Sequence, residues 1–208
     1  MFLFVDRMIE ELDQSLRVLT GSVSAHRDLR FPESGLELND QQKKLSAKFM
    51  RVNHAGEVCA QALYLGQAAV ERKPDIKVAL TQSAREELDH LVWTQQRIEE
   101  LGGRTSVLNP LFYVGSFAIG ALAGLFGTQN SLGFLQETER QVESHLSDHL
   151  DLLPVEDTRS RAIISQMKEE ERCHADRAQH LGANALPKPV SVLMGLMSKI
   201  MTRVTFIV

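Results

Sequence analysis

The chain has 208 residues, 43% of them apolar, which is enough for one domain with a full core and too few for a second complete one. Its 23 Lys and Arg are scattered among 27 acids for a net charge of -4, so no basic stripe exists and nucleic acid is not expected as a partner. Two cysteines, Cys59 and Cys173, are too few for a disulfide scaffold and lack CxxC spacing, which fits a reducing cytoplasm.

Met1 to Val5 is an apolar run without a basic lead, so neither a signal nor a transit peptide is expected. An amphipathic helix is predicted from about Val5 to Leu19, followed by a polar stretch with Pro and Gly from Gly21 to Glu37. Asn39 or Asp40 is a candidate N-cap for a long helix running to about Arg72. A turn at Lys73-Pro74-Asp75 then leads to a second helix, from about Ile76 to Leu101, stopped by Gly102-Gly103. From Thr105 to Gln136 not one residue is charged, and the almost wholly apolar run from Leu111 to Gly127 approaches membrane-spanning length. A third bundle helix is predicted over Phe134 to Leu153, a turn at Pro154, and a fourth over about Glu156 to Leu181 before Gly182. The tail from Val190 to Val208 is apolar, with only Lys199 and Arg203 charged. The expectation is an all-α, single-domain four-helix bundle with additional apolar helices. Its parts are an N-terminal helix and loop (1–38), a first hairpin (39–103), an apolar membrane-interface segment (105–128), a second hairpin (129–182) and an apolar C-terminal helix (189–208).

Glu-x-x-His occurs twice, as Glu87 to His90 and Glu171 to His174, and on a helix each pair points its carboxylate and imidazole the same way. Alone this is a weak signal, because a chain this rich in Glu supplies such pairs by chance. The wider spacing strengthens it. Glu57 lies 17 residues before Pro74 and Glu87 lies 13 after it; Glu139 lies 15 before Pro154 and Glu171 lies 17 after it. At a rise of about 1.5 Å per residue, each single Glu reaches a height similar to that of its Glu-x-x-His. Four carboxylates and two imidazoles at one level are what a pair of iron or manganese ions needs, and four buried glutamates without metal would be very costly. The competing reading, six solvated charges on helix surfaces, is rejected on the matched heights. Spacing alone leaves open which carboxylates bridge.

These residues carry a family resemblance. Arg51-Val52-Asn53-His54-Ala55-Gly56-Glu57, Glu86-Glu87-Leu88-Asp89-His90, the apolar block from Asn109-Pro110-Leu111 to Gly127, Glu139, and Glu169-Glu170-Glu171-Arg172-Cys173-His174 resemble the corresponding stretches of the demethoxyubiquinone hydroxylases of ubiquinone biosynthesis, ferritin-like di-iron proteins. The resemblance runs from about Leu45 to the C-terminus. It implies two iron ions, with Glu87 and Glu171 bridging, Glu57 and Glu139 terminal, and His90 and His174 giving one nitrogen to each metal. It further implies an O2-dependent monooxygenase that hydroxylates the last unsubstituted ring carbon of a prenylated benzoquinol, with NADH or a similar reductant supplying electrons. A peripheral position on the cytoplasmic face of the cell membrane, association with other enzymes of the pathway, and homo-oligomerisation also follow as expectations.

Several residues invite secondary roles. Glu143, four residues after Glu139, could hydrogen-bond a ligand histidine or relay protons. Glu86 and Glu170 could reach the opposite histidine from their own helices, but are read as exposed charges. His54 and His145 are read as packing or capping residues, Tyr64 as a core tyrosine on the face of Glu57, and Cys173 as a packed thiol turned away from the site.

The apolar block has Gly120-x-x-x-Gly124, a helix-contact pattern. A true membrane span there would put Glu57 and Glu139 on opposite sides of the bilayer, which a shared site forbids. With the apolar tail it suits a helix pair in the membrane interface, where Arg51, Lys188, Lys199 and Arg203 would meet headgroups. Two other functions compete. Iron storage or a rubrerythrin-like peroxidase has no use for the uncharged block, and the latter normally carries a CxxC iron site; a non-catalytic quinone-binding membrane module would use the block but not the acids.

Overall fold

The structure is a computed structural model that describes residues 37–208 without a break, together with residues 17, 18, 21, 22, 24, 25, 27 and 32. The helix expected over Val5 to Leu19 lies outside the described residues except at Arg17 and Val18, which are helical. Among the described residues the remaining regular structure is six helices and no strand, an all-α fold consistent with a ferritin-like bundle.

Helix α1 (Asp40–Val70) opens with a reciprocal cap, in which the Asn39 side chain accepts from the Gln42 amide and the Gln42 side chain accepts from the Asn39 amide. Helix α2 (Pro74–Glu100) carries Pro74 in its first turn, where a missing N–H costs nothing, and ends before Gly102 at φ +71°. Helix α3 (Asn109–Leu125) is the apolar block. Helix α4 (Thr128–Leu152) begins earlier than the expected Phe134, because the break at Phe126-Gly127 divides the uncharged segment and leaves its last residues to α4. Helix α5 (Thr158–His180) is capped by Asp157, whose carboxylate accepts from the Ser160 amide. The apolar tail forms helix α6 (Lys188–Ile207).

Helices α1 with α2, and α4 with α5, form two hairpins that close into a bundle through α1–α4 and α2–α5 contacts. Gln67 of α1 donates to the Ser131 carbonyl and hydroxyl of α4 (2.7 and 2.9 Å), and Arg97 of α2 donates to Asp157 and Ser160 at the start of α5 (2.8 Å each). Two apolar layers fill the interior. One holds Phe49, Met50, Trp93, Leu146, Ile163 and Met167, and the other Leu63, Tyr64, Leu80, Leu132, Leu135 and Ala178. On each bundle helix the expected metal residues fall between a member of the first layer and a member of the second.

Helix α3 lies along α1 at backbone contact. A Cβ added at Gly120 would stand 2.2 Å from the Leu63 carbonyl oxygen, and one at Gly66 would stand 2.1 Å from that of Phe117. The Gly120-x-x-x-Gly124 pattern therefore docks α3 on α1 of its own chain. Helix α6 is pinned at both ends: Gln141 of α4 donates to the Ser191 carbonyl (3.2 Å), and Arg51 of α1 donates to the carbonyls of Thr205 and Phe206 (3.0 and 3.1 Å). Arg51, expected among lipid headgroups, instead satisfies carbonyls that the last turn of α6 would leave without partners.

Candidate metal centre

The structure brings Glu57, Glu87, His90, Glu139, Glu171 and His174 together between the two apolar layers, all of them buried. They form two overlapping groups whose ligand atoms lie within 4.8 Å of one another: Glu57, Glu87, His90 and Glu171, and then Glu87, Glu139, Glu171 and His174. Glu87 and Glu171 belong to both. Each divides its oxygens between the groups. Glu87 sets Oε2 3.1 Å from His90 Nδ1 and Oε1 3.0 Å from His174 Nδ1; Glu171 sets Oε1 3.1 Å from His90 Nδ1 and Oε2 3.3 Å from His174 Nδ1. Among the described residues these two carboxylates alone have an oxygen in each group, the geometry that a shared pair of carboxylates would need.

The outer edge of each imidazole is held from the opposite hairpin. His90 Nε2 lies 2.7 Å from Glu170 Oε2, and His174 Nε2 lies 2.8 Å from Glu86 Oε2. An ionised carboxylate can only accept, so Nε2 carries a proton in each ring; without a metal Nδ1 also donates toward the carboxylate oxygens it faces, and a cation entering the cluster would displace that proton and take the lone pair. The reading of Glu86 and Glu170 as exposed charges is therefore corrected: each follows the helical turn that aims it at the partner helix. Glu143 does not take this role, since both outer nitrogens are occupied and no bond joins it to a ligand histidine. Cys173 is turned away from the site as expected but is exposed, not packed. His54 is buried, accepting from Asn109 at 3.3 Å, and burial lowers its pKa to about 4; His145 packs against His149 with centroids 3.9 Å apart and rings tilted by 59°. Neither joins the cluster.

Tyr64 is buried with its ring edge-on to His174, centroids 6.0 Å apart, and its phenol is pushed up by burial first and then by the Glu139 carboxylate. Arg177 escaped the sequence reading, because nothing distinguishes it from a surface cation; it donates to Glu86 at 2.9 Å and to the Ser83 hydroxyl at 2.8 Å. Arg27 escaped it for the same reason and donates to both Glu170 and Asp89.

Electrostatics show what the cluster needs. Burial raises the Glu57 and Glu139 carboxyls well above the usual carboxylate range, with Glu171 and Glu87 adding to it. For His90 and His174, burial opposes the charge, yet the surrounding carboxylates win and hold both above the ordinary histidine range. Glu87 is lowered, since the two imidazoles outweigh its burial. Protons thus balance four acids in the absence of other cations. Glu139 is fully buried with no well-formed hydrogen bond and only the Tyr64 phenol near enough to donate, a costly state for a carboxylate unless a cation faces it. Oxygen-rich groups with one imidazole each suit iron or manganese, and so the residues present fit a metal pair.

A cavity of about 410 Å³ lies between α1 and α4 and the outer helices α3 and α6, with none of the six clustered residues in its lining. Gly56 and Ala60 of α1 and Thr138 of α4, close in sequence to Glu57 and Glu139, form its floor; Ile119 of α3 and Leu193 and Met197 of α6 are among its walls.

Residues 44–205 match the family described as "Ubiquinone biosynthesis protein COQ7". The chain belongs to this family. Among curated relatives, the "3-demethoxyubiquinol 3-hydroxylase" of Nitrosomonas europaea is 52% identical over 205 residues, covering 97% of this chain and 98% of the relative. The protein of the same description from Chromobacterium violaceum is 52% identical over 201 residues (95% and 97%), and that from Bordetella pertussis 50% over 204 (97% and 92%). The matched family region contains the six clustered residues together with Glu86 and Glu170, and it leaves Arg27 outside.

Proposed function

We propose that this protein is a di-iron monooxygenase that uses O2 to hydroxylate the ring of a prenylated demethoxy-benzoquinol in ubiquinone biosynthesis, with NADH or a similar reductant. The observation that carries the reading is the pair of ligand groups sharing Glu87 and Glu171, in a chain whose curated relatives are named as 3-demethoxyubiquinol hydroxylases. Glu57, Glu87, His90 and Glu171 would hold one iron, and Glu87, Glu139, Glu171 and His174 the other. Held there, two reduced irons would supply the O2-binding site and the redox chemistry. In the overall balance one oxygen atom enters the ring C–H bond, and the other leaves as water with two electrons and two protons from the reductant.

The chain's own residues set the conditions for this. Glu86 and Glu170 fix the histidine tautomers. The two apolar layers keep water from the reacting face, where low dielectric strengthens every charge interaction. The cavity between α3 and α6 suits the substrate: its apolar walls would take the prenyl chain, and Gly56 and Thr138 in its lining are the chain neighbours of Glu57 and Glu139, toward which the quinol ring would have to pass. An iron-storage protein would have no use for such a cavity.

The same two helices support attachment to the cytoplasmic face of the cell membrane. Leu111, Val114, Leu122 and Leu125 on α3, and Val192, Leu196 and Ile200 on α6, are exposed. By length and composition α6 could cross a bilayer, and α3 is shorter. Yet α6 is pinned to the charged bundle at Ser191 and again at Thr205 and Phe206, which favours a helix lying in the interface over one that spans.

Iron analysis of protein from iron-supplemented cells tests the reading. About two irons per chain and quinol hydroxylation are expected, both lost in Glu87→Ala, which removes a ligand from each group. Well-folded wild-type protein that cannot be loaded with iron would overturn it.

A further inference from the structure

The two halves of the centre are braced differently. On the His174 side everything belongs to the bundle: Glu86 accepts from His174, and Arg177 of α5 holds Glu86 and reaches Ser83 of α2. On the His90 side the matching cation comes from the segment that precedes α1. Arg27 donates through Nη1 and Nη2 to the two oxygens of Glu170 (2.6 and 2.8 Å) and through Nε to Asp89 Oδ2 (2.6 Å). Its guanidinium also sits over the Trp93 ring at 5.1 Å, and that ring lies 5.4 Å from His90. One side chain therefore joins α2 to α5 across the back of His90.

We infer that Arg27 is the positioning residue of the His90 metal site, holding Glu170 on His90 Nε2 so that Nδ1 keeps its aim at the metal. The inference rests on the di-iron reading. Its physical basis is the fork: the guanidinium engages both Glu170 oxygens and Asp89 at once, a geometry an ammonium cannot reproduce. Arg27 is the cation that bridges Asp89 and Glu170; Glu170 also accepts from Gln166 of α5 at 2.7 Å, a neutral donor. Without Arg27 the bridging charge is lost, and Glu170, with 15% of its side chain exposed, is left to Gln166 and His90 alone and is freer to turn toward solvent. His90 then loses the acceptor that fixes its tautomer and orientation. His174 is untouched, because its brace lies within the bundle. The His90 iron is therefore expected to be held through a residue that precedes α1 and lies before the 44–205 family match, whereas the His174 iron is braced wholly from within the bundle.

Anaerobic Fe(II) titration of the full-length chain, followed by calorimetry, tests this without recourse to activity. Arg27→Ala is expected to weaken one of the two binding steps about tenfold and leave the other unchanged, the usual effect of losing a group that orients a ligand histidine. Arg27→Lys should recover part of the loss. Adding Arg27→Ala to Glu170→Gln should cost nothing further, since both act through one bond. Two steps of wild-type affinity in Arg27→Ala, or full additivity with Glu170→Gln, would overturn the inference and leave the di-iron reading standing. A wild-type chain that binds no Fe(II) would overturn both. Far-ultraviolet circular dichroism checks the fold of each variant, and Arg27→Lys keeps the test decisive if Arg27→Ala does not fold.

Discussion

The bundle interior and the outer helices depart from the usual distribution of polarity in opposite directions. Inside, Glu87, Glu139 and Glu171 are 0% exposed in a layer between hydrophobic side chains. Outside, Leu125 is 71% exposed and Ile207 79%, on helices with almost no charge. Each departure costs free energy in water: the first through desolvated charge, the second through wetted apolar area. On the proposed function each would be relieved by something that binds, cations within and lipid or a prenyl chain without. The comparison then teaches that stability is given up at two separate places for two separate ligands, so substitutions should be able to restore one without touching the other.

The largest effect is expected inside. Glu139→Leu removes a buried carboxylate whose only nearby donor is the poorly aligned Tyr64 phenol, and replaces it with an apolar group of similar volume. Hydroxylation should fall to background, while the metal-free protein gains about 1–2 kcal/mol, as buried ionic groups replaced by hydrophobic ones often do. Thermal unfolding of the metal-free chain measures it, at a few degrees of Tm. A lower Tm would mean that Glu139 is held by protein groups, and the contrast between interior and exterior would lose its first half.

An intermediate effect is expected outside. Leu125→Lys with Leu196→Lys, both at exposed positions, should change folding stability by no more than about 0.5 kcal/mol, in keeping with surface substitutions generally. Partition onto anionic liposomes should nevertheless drop about tenfold or more, because two leucines no longer bury their area in the interface. Iron content should stay at two per chain. Unchanged liposome binding would show that these helices serve some purpose other than lipid contact.

How much of this was legible in the sequence depends on how far apart in the chain the cause and effect lie. Helix boundaries came from local signals, such as the Asn39 cap, Pro74 and Gly102, and α4 was misjudged at its start because an uncharged run gives no sign of where it breaks. The six clustered residues were legible because two hairpins of similar arm length put them at one height. Glu86 and Glu170 were named but misread: their reach across the bundle depends on which way adjacent helix faces turn, which spacing along one helix does not fix. Arg177 and Arg27 were invisible, since a single arginine looks the same whether it faces water or a carboxylate contributed by a distant helix. Arg51 failed for a related reason, because its partners are backbone carbonyls and carry no sequence signal at all.

The smallest effect separates the cavity from the metals. Gly56 lies inside α1, next to Glu57, has no positive φ, and a Cβ added there meets nothing within 4 Å. A glycine in a helix interior costs about 1 kcal/mol relative to alanine, so neither backbone geometry nor crowding explains it. The space does, because Gly56 borders the cavity. Gly56→Ala is therefore expected to raise Tm by the equivalent of about 1 kcal/mol with both irons retained. Gly56→Leu should also keep its iron, yet raise KM for a long-chain prenylated quinol more than for a short-chain analogue, since its side chain would occupy room the prenyl group needs. Equal KM values for the two substrates would place the prenyl chain elsewhere. A loss of iron in Gly56→Leu would instead show that the cavity and the centre are one mechanical unit, and the wetted exterior would then be coupled to the charged interior after all.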